Sequence, residues 1–142
     1  MTAYWDTSGL VRAFLLGITP RGVTRSHTAA EFYGTFTGRG VPLPGGTKAK
    51  RLAPGEAAAV VRELFSALTL VDLSPAETVQ AIVAAADGPQ AVGAAIHDWL
   101  HCQAAAKAGA TRIMTVNPRD FQRMTRIRLE QPSKDAPVQP AA

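Results

Sequence analysis

Cysteine is all but missing. Cys102 stands alone, so no disulfide forms within the chain, and a reducing, cytoplasmic compartment is the expectation. Aromatic residues make up only 6% of the sequence, and no apolar run reaches the length a membrane span needs. The opening residues, MTAYWDTSG, lack the basic stretch and apolar core of a secretion signal, so no membrane or export step is expected. Histidine is scarce too, with three residues, which limits the nitrogen donors available to a zinc site. What is present describes an ordinary folded domain: 142 residues, 46% hydrophobic, enough for one domain with one core. Fifteen Lys and Arg face eleven Asp and Glu, a net charge of +4 that suits a polyanionic partner without requiring one. With so few acids, each one in an apolar setting calls for an explanation.

The stretch that raises the question most sharply is GAAIHDWLHCQAAAKAG, residues 93–109, followed by ATRIMTVNPRDF. Ile96, Leu100 and Ala104 fall on one helical stripe, and Gly109 sits where a helix hands over to the next element. Residues 112–116 then read as a short strand ended by the turn signal Asn117-Pro118. Asp98 lies inside this apolar helix, beside Trp99, and the nearest cationic side chain along the chain is Lys107, well beyond one turn. A carboxylate in apolar surroundings costs several kcal/mol unless something compensates it, roughly the penalty of an unpaired charge. A metal ion is the partner to look for.

Earlier in the chain, residues 3–5 read as a strand and Asp6-Thr7-Ser8-Gly9 breaks it; Leu10, Val11, Phe14 and Leu15 resume at helical spacing, with Ser8 as a cap. Asp6 thus stands at the carboxyl end of a strand, where open α/β sheets bind ligands, although a capping Asp would look the same. Residues 21–26 suggest a second strand. Thr28-Ala29-Ala30-Glu31 fits a capping box, so Glu31 is either a cap or, more sharply, a metal ligand at a helix start. His27 beside it reads as a surface imidazole. Residues 38–55, with three prolines and five glycines, are expected to be irregular. That loop carries Lys48, Lys50 and Arg51, either a solvated cluster or a guide for phosphates. A helix over 56–68, a strand over 69–73, a helix opened by Ser74-Pro75-Ala76-Glu77 and a last edge strand over 127–130 complete the pattern. Residues 1–130 form the domain, and the Pro/Ala-rich 131–142 is expected to be a disordered tail. Strands alternating with helices predict an α/β fold with a mostly parallel, twisted sheet.

Two metal constellations follow. The first is all oxygen: Asp6, Glu31, Asp98, Asn117 and Asp120, of which parallel strands would bring Asp6 and Asn117 to one sheet edge, with Glu31 and Asp98 supplied by helices. Such donors suit Mg²⁺ or Mn²⁺, ions that serve phosphodiester hydrolysis. The second is His97-Asp98-Trp99-Leu100-His101, two histidines four apart on a helix, a spacing that also binds zinc; two partly exposed histidines without chemistry are the alternative.

The segments YWDTSGLVRAFL, SHTAAEFYGTF and GAAIHDWLHCQAAAKAGATRIMTVNPRDF together resemble the PIN-domain family, and within it the VapC-type ribonuclease toxins of toxin–antitoxin pairs. The resemblance runs from Ala3 to Phe121. It implies a three-layer α/β/α domain whose acidic residues gather at the carboxyl edge of the sheet, bind Mg²⁺ or Mn²⁺ and hydrolyse RNA. By motif, Asp6, Glu31 and Asp98 are similar to the first three acidic ligands. Asn117 takes the fourth place, where many members have Asp, and Asp120 is the residue able to restore that charge. Thr7, Ser8 and Thr115 fall on the substrate side of the site. Lys48, Lys50, Arg51, Arg119 and Arg123 are expected to meet the RNA backbone. Family members usually pair as homodimers, with an antitoxin segment blocking the acidic groove, and both are expectations here.

Overall fold

The computed structural model describes residues 2–43, 45–46 and 48–134. In chain order it runs β1 (Ala3–Trp5), α1 (Thr7–Leu16), β2 (Gly22–Thr24), α2 (His27–Thr37), β3 (Val41–Pro42), β4 (Ala49–Lys50), α3 (Pro54–Ser66), β5 (Leu68–Leu70), α4 (Pro75–Asp87), α5 (Ala95–Lys107), β6 (Arg112–Met114), α6 (Pro118–Phe121) and β7 (Arg128–Glu130). Five strands pair in the order β5-β2-β1-β6-β7, every neighbour parallel. This is the expected α/β fold, an all-parallel sheet flanked by helices.

Alternation along the strands sorts the core into two layers. Ala3, Trp5 and Met114 face one side, where they pack with Leu10 and Ala13 of α1, Phe32 and Phe36 of α2 and partly buried residues of α3. Tyr4, Val23 and Ile113 face the other, against Cys102, Ala104 and Ala105 of α5 and Phe121 of α6. α4 leans on α5, and the Trp99 indole N–H donates to the Ala81 carbonyl at 2.7 Å. No helix among the described residues is long and apolar enough to cross a membrane.

From β1 the chain winds outward through β2 to β5, then crosses back to β6 and β7 on the other side of β1. The winding direction therefore reverses between β1 and β6. At such a switch point the two loops leaving the strands diverge and a crevice opens at the carboxyl ends. Asp6 leaves β1 and Thr115 leaves β6 on the two sides of that crevice.

Several local expectations change. Asp6, not Ser8, caps α1: its Oδ1 accepts from the Gly9 N–H at 2.6 Å, while Ser8 lies inside the helix. Glu31 does not close a capping box with Thr28, because the helix cap lies two residues earlier, at Ser26, and α2 begins at His27. Ser26 is itself held by Asp72, which accepts from its N–H and its hydroxyl, each at 2.8 Å. Within residues 38–55, β3 and β4 form a two-stranded antiparallel ribbon, with Val41 opposite Lys50, where no regular structure was expected; Pro44 and Thr47 of that stretch lie outside the described residues. α3 opens at Pro54 rather than Glu56, with the Glu56 carboxylate accepting from the Ala53 N–H at 3.0 Å. β5 begins one residue early and ends at Leu70. The capping box at Ser74 and Glu77 and the edge strand after Ile127 form as read. Of the expected tail, Pro132 is buried, and residues 135–142 lie outside the described residues.

Candidate functional site

The turn after β1 is built by short side chains that have no freedom left. Asp6 is buried, and Ser8 Oγ donates to its carboxylate at 2.8 Å. Ser8 Oγ also accepts from the Val116 N–H at 3.1 Å and lies 3.2 Å from the hydroxyl of buried Thr115. Thr115 in turn accepts from the Asn117 N–H at 3.1 Å. Gly9 is pressed so close to the Met114 carbonyl that a methyl group there would collide with it. Asp-Thr-Ser-Gly therefore locks the start of α1 onto the end of β6, and the expected adjacency of Asp6 and Asn117 at one sheet edge is realised.

Above this seam opens a cavity of about 440 Å³. Asp6, Glu31, Asp98, Asn117 and Asp120 all line it, with Thr7, Ser8 and His101. Its apolar wall comes from Val11 and Leu15 of α1, Val41 and Pro42 of β3, and Phe121. The helices deliver their polar groups by turn spacing: Ser8 and Arg12 from α1, Glu31 and Thr35 from α2, Asp98 and His101 from α5. Thr115 supports the floor from below. Lys48, Lys50, Arg51, Arg119 and Arg123 are exposed and do not line the cavity, although Lys50 sits on the strand paired with its wall.

The electrostatics are one-sided. Among the described residues no Lys or Arg pairs with Asp6, Glu31, Asp98 or Asp120. Asp98 is half-buried and has no hydrogen-bond partner among the described residues, the deficit its sequence setting implied. Burial pushes its carboxyl up from the ordinary range; His101 opposes this, while Asp120, Asp6 and Glu31 add to it. Burial likewise pushes Asp6 up, against hydrogen bonds from Thr115, Gly9 and Ser8. Glu31 behaves oppositely. Burial alone would raise it, but the hydrogen bonds from His101 and Thr7 outweigh that and bring it down to about 2.

His101 is the residue sequence reading misjudged. It is buried, not partly exposed, with Nδ1 2.7 Å from the Tyr4 hydroxyl and Nε2 3.2 Å from Glu31 Oε1. His97 is exposed and stacks on His27, ring centroids 6.1 Å apart. The two histidines thus have different partners and do not form the zinc pair their spacing allowed. Arg12 at the cavity was missed as well; its signal was the stripe Ser8, Val11, Arg12, Leu15, which places it beside Ser8 on one face of α1.

Among the described residues no three His, Cys, Asp or Glu side chains converge tightly enough to enclose a metal ion. Asp6, Glu31 and Asp98 share a cavity without forming a closed cage. The donor set is nonetheless that of a hard cation: carboxylates and an amide, with no Lys or Arg ion-paired to them among the described residues. Mg²⁺ in particular retains several waters and is held by one or two carboxylates together with substrate phosphates, so an open acidic cavity fits it where a zinc cage would not. The chain is an α/β protein with an acidic crevice at the switch point of a parallel sheet. It matches no protein-family model and no curated protein sequence, so the chemistry must be argued from its own side chains.

Proposed function

We propose that the protein is a divalent-metal-dependent endoribonuclease of the PIN-domain kind, similar to VapC-type toxins, acting on RNA with Mg²⁺ or Mn²⁺. One observation carries this reading: three half-buried or buried carboxylates and Asp120 line one crevice, and among the described residues no Lys or Arg is ion-paired with any of them. Clustered carboxylates that repel one another are costly unless a cation is part of the working state.

In this reading Asp98 is the foremost cation-holding group, because nothing else engages it. Glu31 and Asp6 would hold the cation with it, and Asn117 and Asp120 line the same cavity. When bound, Mg²⁺ or Mn²⁺ would supply the positive charge and Lewis acidity that phosphodiester hydrolysis needs. Arg12 at the mouth attracts a phosphate that the bare crevice would repel. Asp6, tied to Ser8 and Gly9, keeps a single rotamer, and the apolar wall of Val11, Leu15 and Phe121 limits water beside the reacting group. Lys48, Lys50, Arg51, Arg119 and Arg123 serve the RNA backbone outside the cavity, giving affinity with little sequence readout. A homodimer and a cognate antitoxin belong to the same proposal, and the exposed Val79, Ile82 and Val83 of α4 offer such a protein an apolar face.

The test is cleavage of a mixed structured and single-stranded RNA pool with Mg²⁺, Mn²⁺ or EDTA, for wild type beside Asp98→Asn. Asp98 is preferable to Asp6 because Asp6 also caps α1, so its loss would confound chemistry with folding. Metal-dependent cleavage that falls at least about a hundredfold in the variant is expected, a loss of about 3 kcal/mol in barrier lowering. Cleavage that survives EDTA, or equal activity of the variant, would sink the reading. A second reading rests on Asn117: one fewer anionic donor favours a PIN-like module that binds RNA or protein without cutting. RNA binding by a folded protein with no cleavage under any metal would select it.

A further inference from the structure

Glu31 is held by a buried chain of side chains drawn from three distant parts of the sequence. Tyr4 is fully buried on β1, and its ring meets the His101 imidazole edge-on, centroids 5.7 Å apart. Its hydroxyl lies 2.7 Å from His101 Nδ1. His101, itself only 3% exposed, places Nε2 3.2 Å from Glu31 Oε1. Thr7 donates its hydroxyl to the same oxygen at 3.0 Å.

The relay needs one set of bond directions, with the Tyr4 hydroxyl as donor. A phenol hydroxyl has one hydrogen, and donating it to Nδ1 leaves the ring hydrogen on Nε2, aimed at Glu31. Both imidazole nitrogens are then engaged, so the ring has one orientation. Both bonds to Glu31 fall on Oε1, which fixes the carboxylate's rotation and leaves Oε2 for the cavity that Glu31 lines. A glutamate has three side-chain torsions, and ordering them costs rotamer freedom. Here that ordering precedes any ligand.

We infer that Tyr4 and His101 are a positioning relay that presents Glu31 Oε2 to a divalent cation in the crevice. The inference rests on the metal-dependent reading above and adds two residues to it that touch neither cation nor substrate. Tyr4 acts only through His101, and His101 only through Glu31. Outer-shell partners of this sort typically change metal affinity by about 10- to 100-fold when removed.

The experiment is a calorimetric titration of the full chain with Mn²⁺ alone, for wild type, Tyr4→Phe, His101→Leu, His101→Gln, Asp98→Asn and Glu31→Gln. Thermal melts run alongside. Tyr4→Phe keeps the ring and the packing, and is expected to weaken Mn²⁺ binding by about 3- to 10-fold; His101→Leu weakens it by about 10-fold or more. His101→Gln recovers much of the loss, since its amide N–H reaches toward Glu31 from nearly the Nε2 position. On a Glu31→Gln background, Tyr4→Phe has no further effect. Nitrogen NMR of the metal-free protein finds the His101 hydrogen on Nε2. If wild type binds Mn²⁺ and Asp98→Asn does not, but the Tyr4 and His101 variants bind as wild type, the relay is overturned and the metal site survives. A hydrogen on Nδ1 with Nε2 bare also overturns it. Wild type that binds no Mn²⁺ overturns both. If His101→Leu fails to fold, Tyr4→Phe alone and in the Glu31→Gln background decides the matter.

Discussion

Asp98 and Glu31 are two carboxylates on one cavity whose environments push them in opposite directions. The difference is a matter of partners. Glu31 has a hydroxyl and an imidazole on one oxygen, whereas Asp98 has only other acids and a histidine in its field. A carboxyl raised by the fold favours the folded state below its unfolded pKa and loses that contribution as pH rises through the folded value. Asp98 and Asp6 therefore cost stability near neutral pH. Glu31 has the reverse sign: its contribution is present above the ordinary carboxylate range and is lost as pH falls toward about 2. In EDTA near neutral pH, Asp98→Asn should raise stability by on the order of 0.5 kcal/mol, because it relieves repulsion among partly solvated acids. The gain should shrink as pH falls through the carboxylate range and Asp98 takes up its proton. Melting curves of both proteins across that range check this; a variant less stable than wild type at every pH would contradict it.

Among the elements, the seam between α1 and β6 is where geometry is tightest. Gly9→Ala should cost about 1–3 kcal/mol by overpacking against the Met114 carbonyl, and denaturant unfolding would measure it. An unchanged midpoint would mean the helix start shifts freely. Most elements were legible in sequence because their signals are local: the Ser74 and Glu77 box, the apolar run over 112–116, the Asn117-Pro118 break. What was not legible depended on long-range partners. Thr28-x-x-Glu31 fits a capping box by spacing, yet Asp72, distant in sequence, holds Ser26 and the helix starts there. The β3–β4 ribbon has strands of two residues each, too short to show a period. The acidic members of the site were legible because a carboxylate in an apolar run is conspicuous. His101 was not, since a histidine in an alanine-rich helix reads as surface until Tyr4, 97 residues away, is seen to claim it.

On the scale of the molecule, charge is segregated. The net charge is +4, yet the crevice is acidic with Arg12 as its one lining Lys or Arg among the described residues, so most cations lie elsewhere, with Lys48, Lys50 and Arg51 on or beside the β3–β4 ribbon that walls the crevice. If RNA lies along that ribbon, replacing all three by Gln should flatten the salt dependence of binding, lowering the slope of log K against log salt by about 2. An unchanged slope would place the RNA on another face. Every lining residue of the crevice comes from positions 6–42 or 98–121; among the described residues the segment from 43 to 97 contributes none. The two contributing stretches meet through the parallel pairing of β1 with β6, the Ser8–Thr115 seam and the Glu31–His101 contact. A chain made from its N-terminus thus carries only the residue 6–42 half of the crevice until α5 has been made. The acids face one another only once α5, β6 and α6 have left the ribosome. The site therefore cannot assemble before its second half, residues 98–121, has been made.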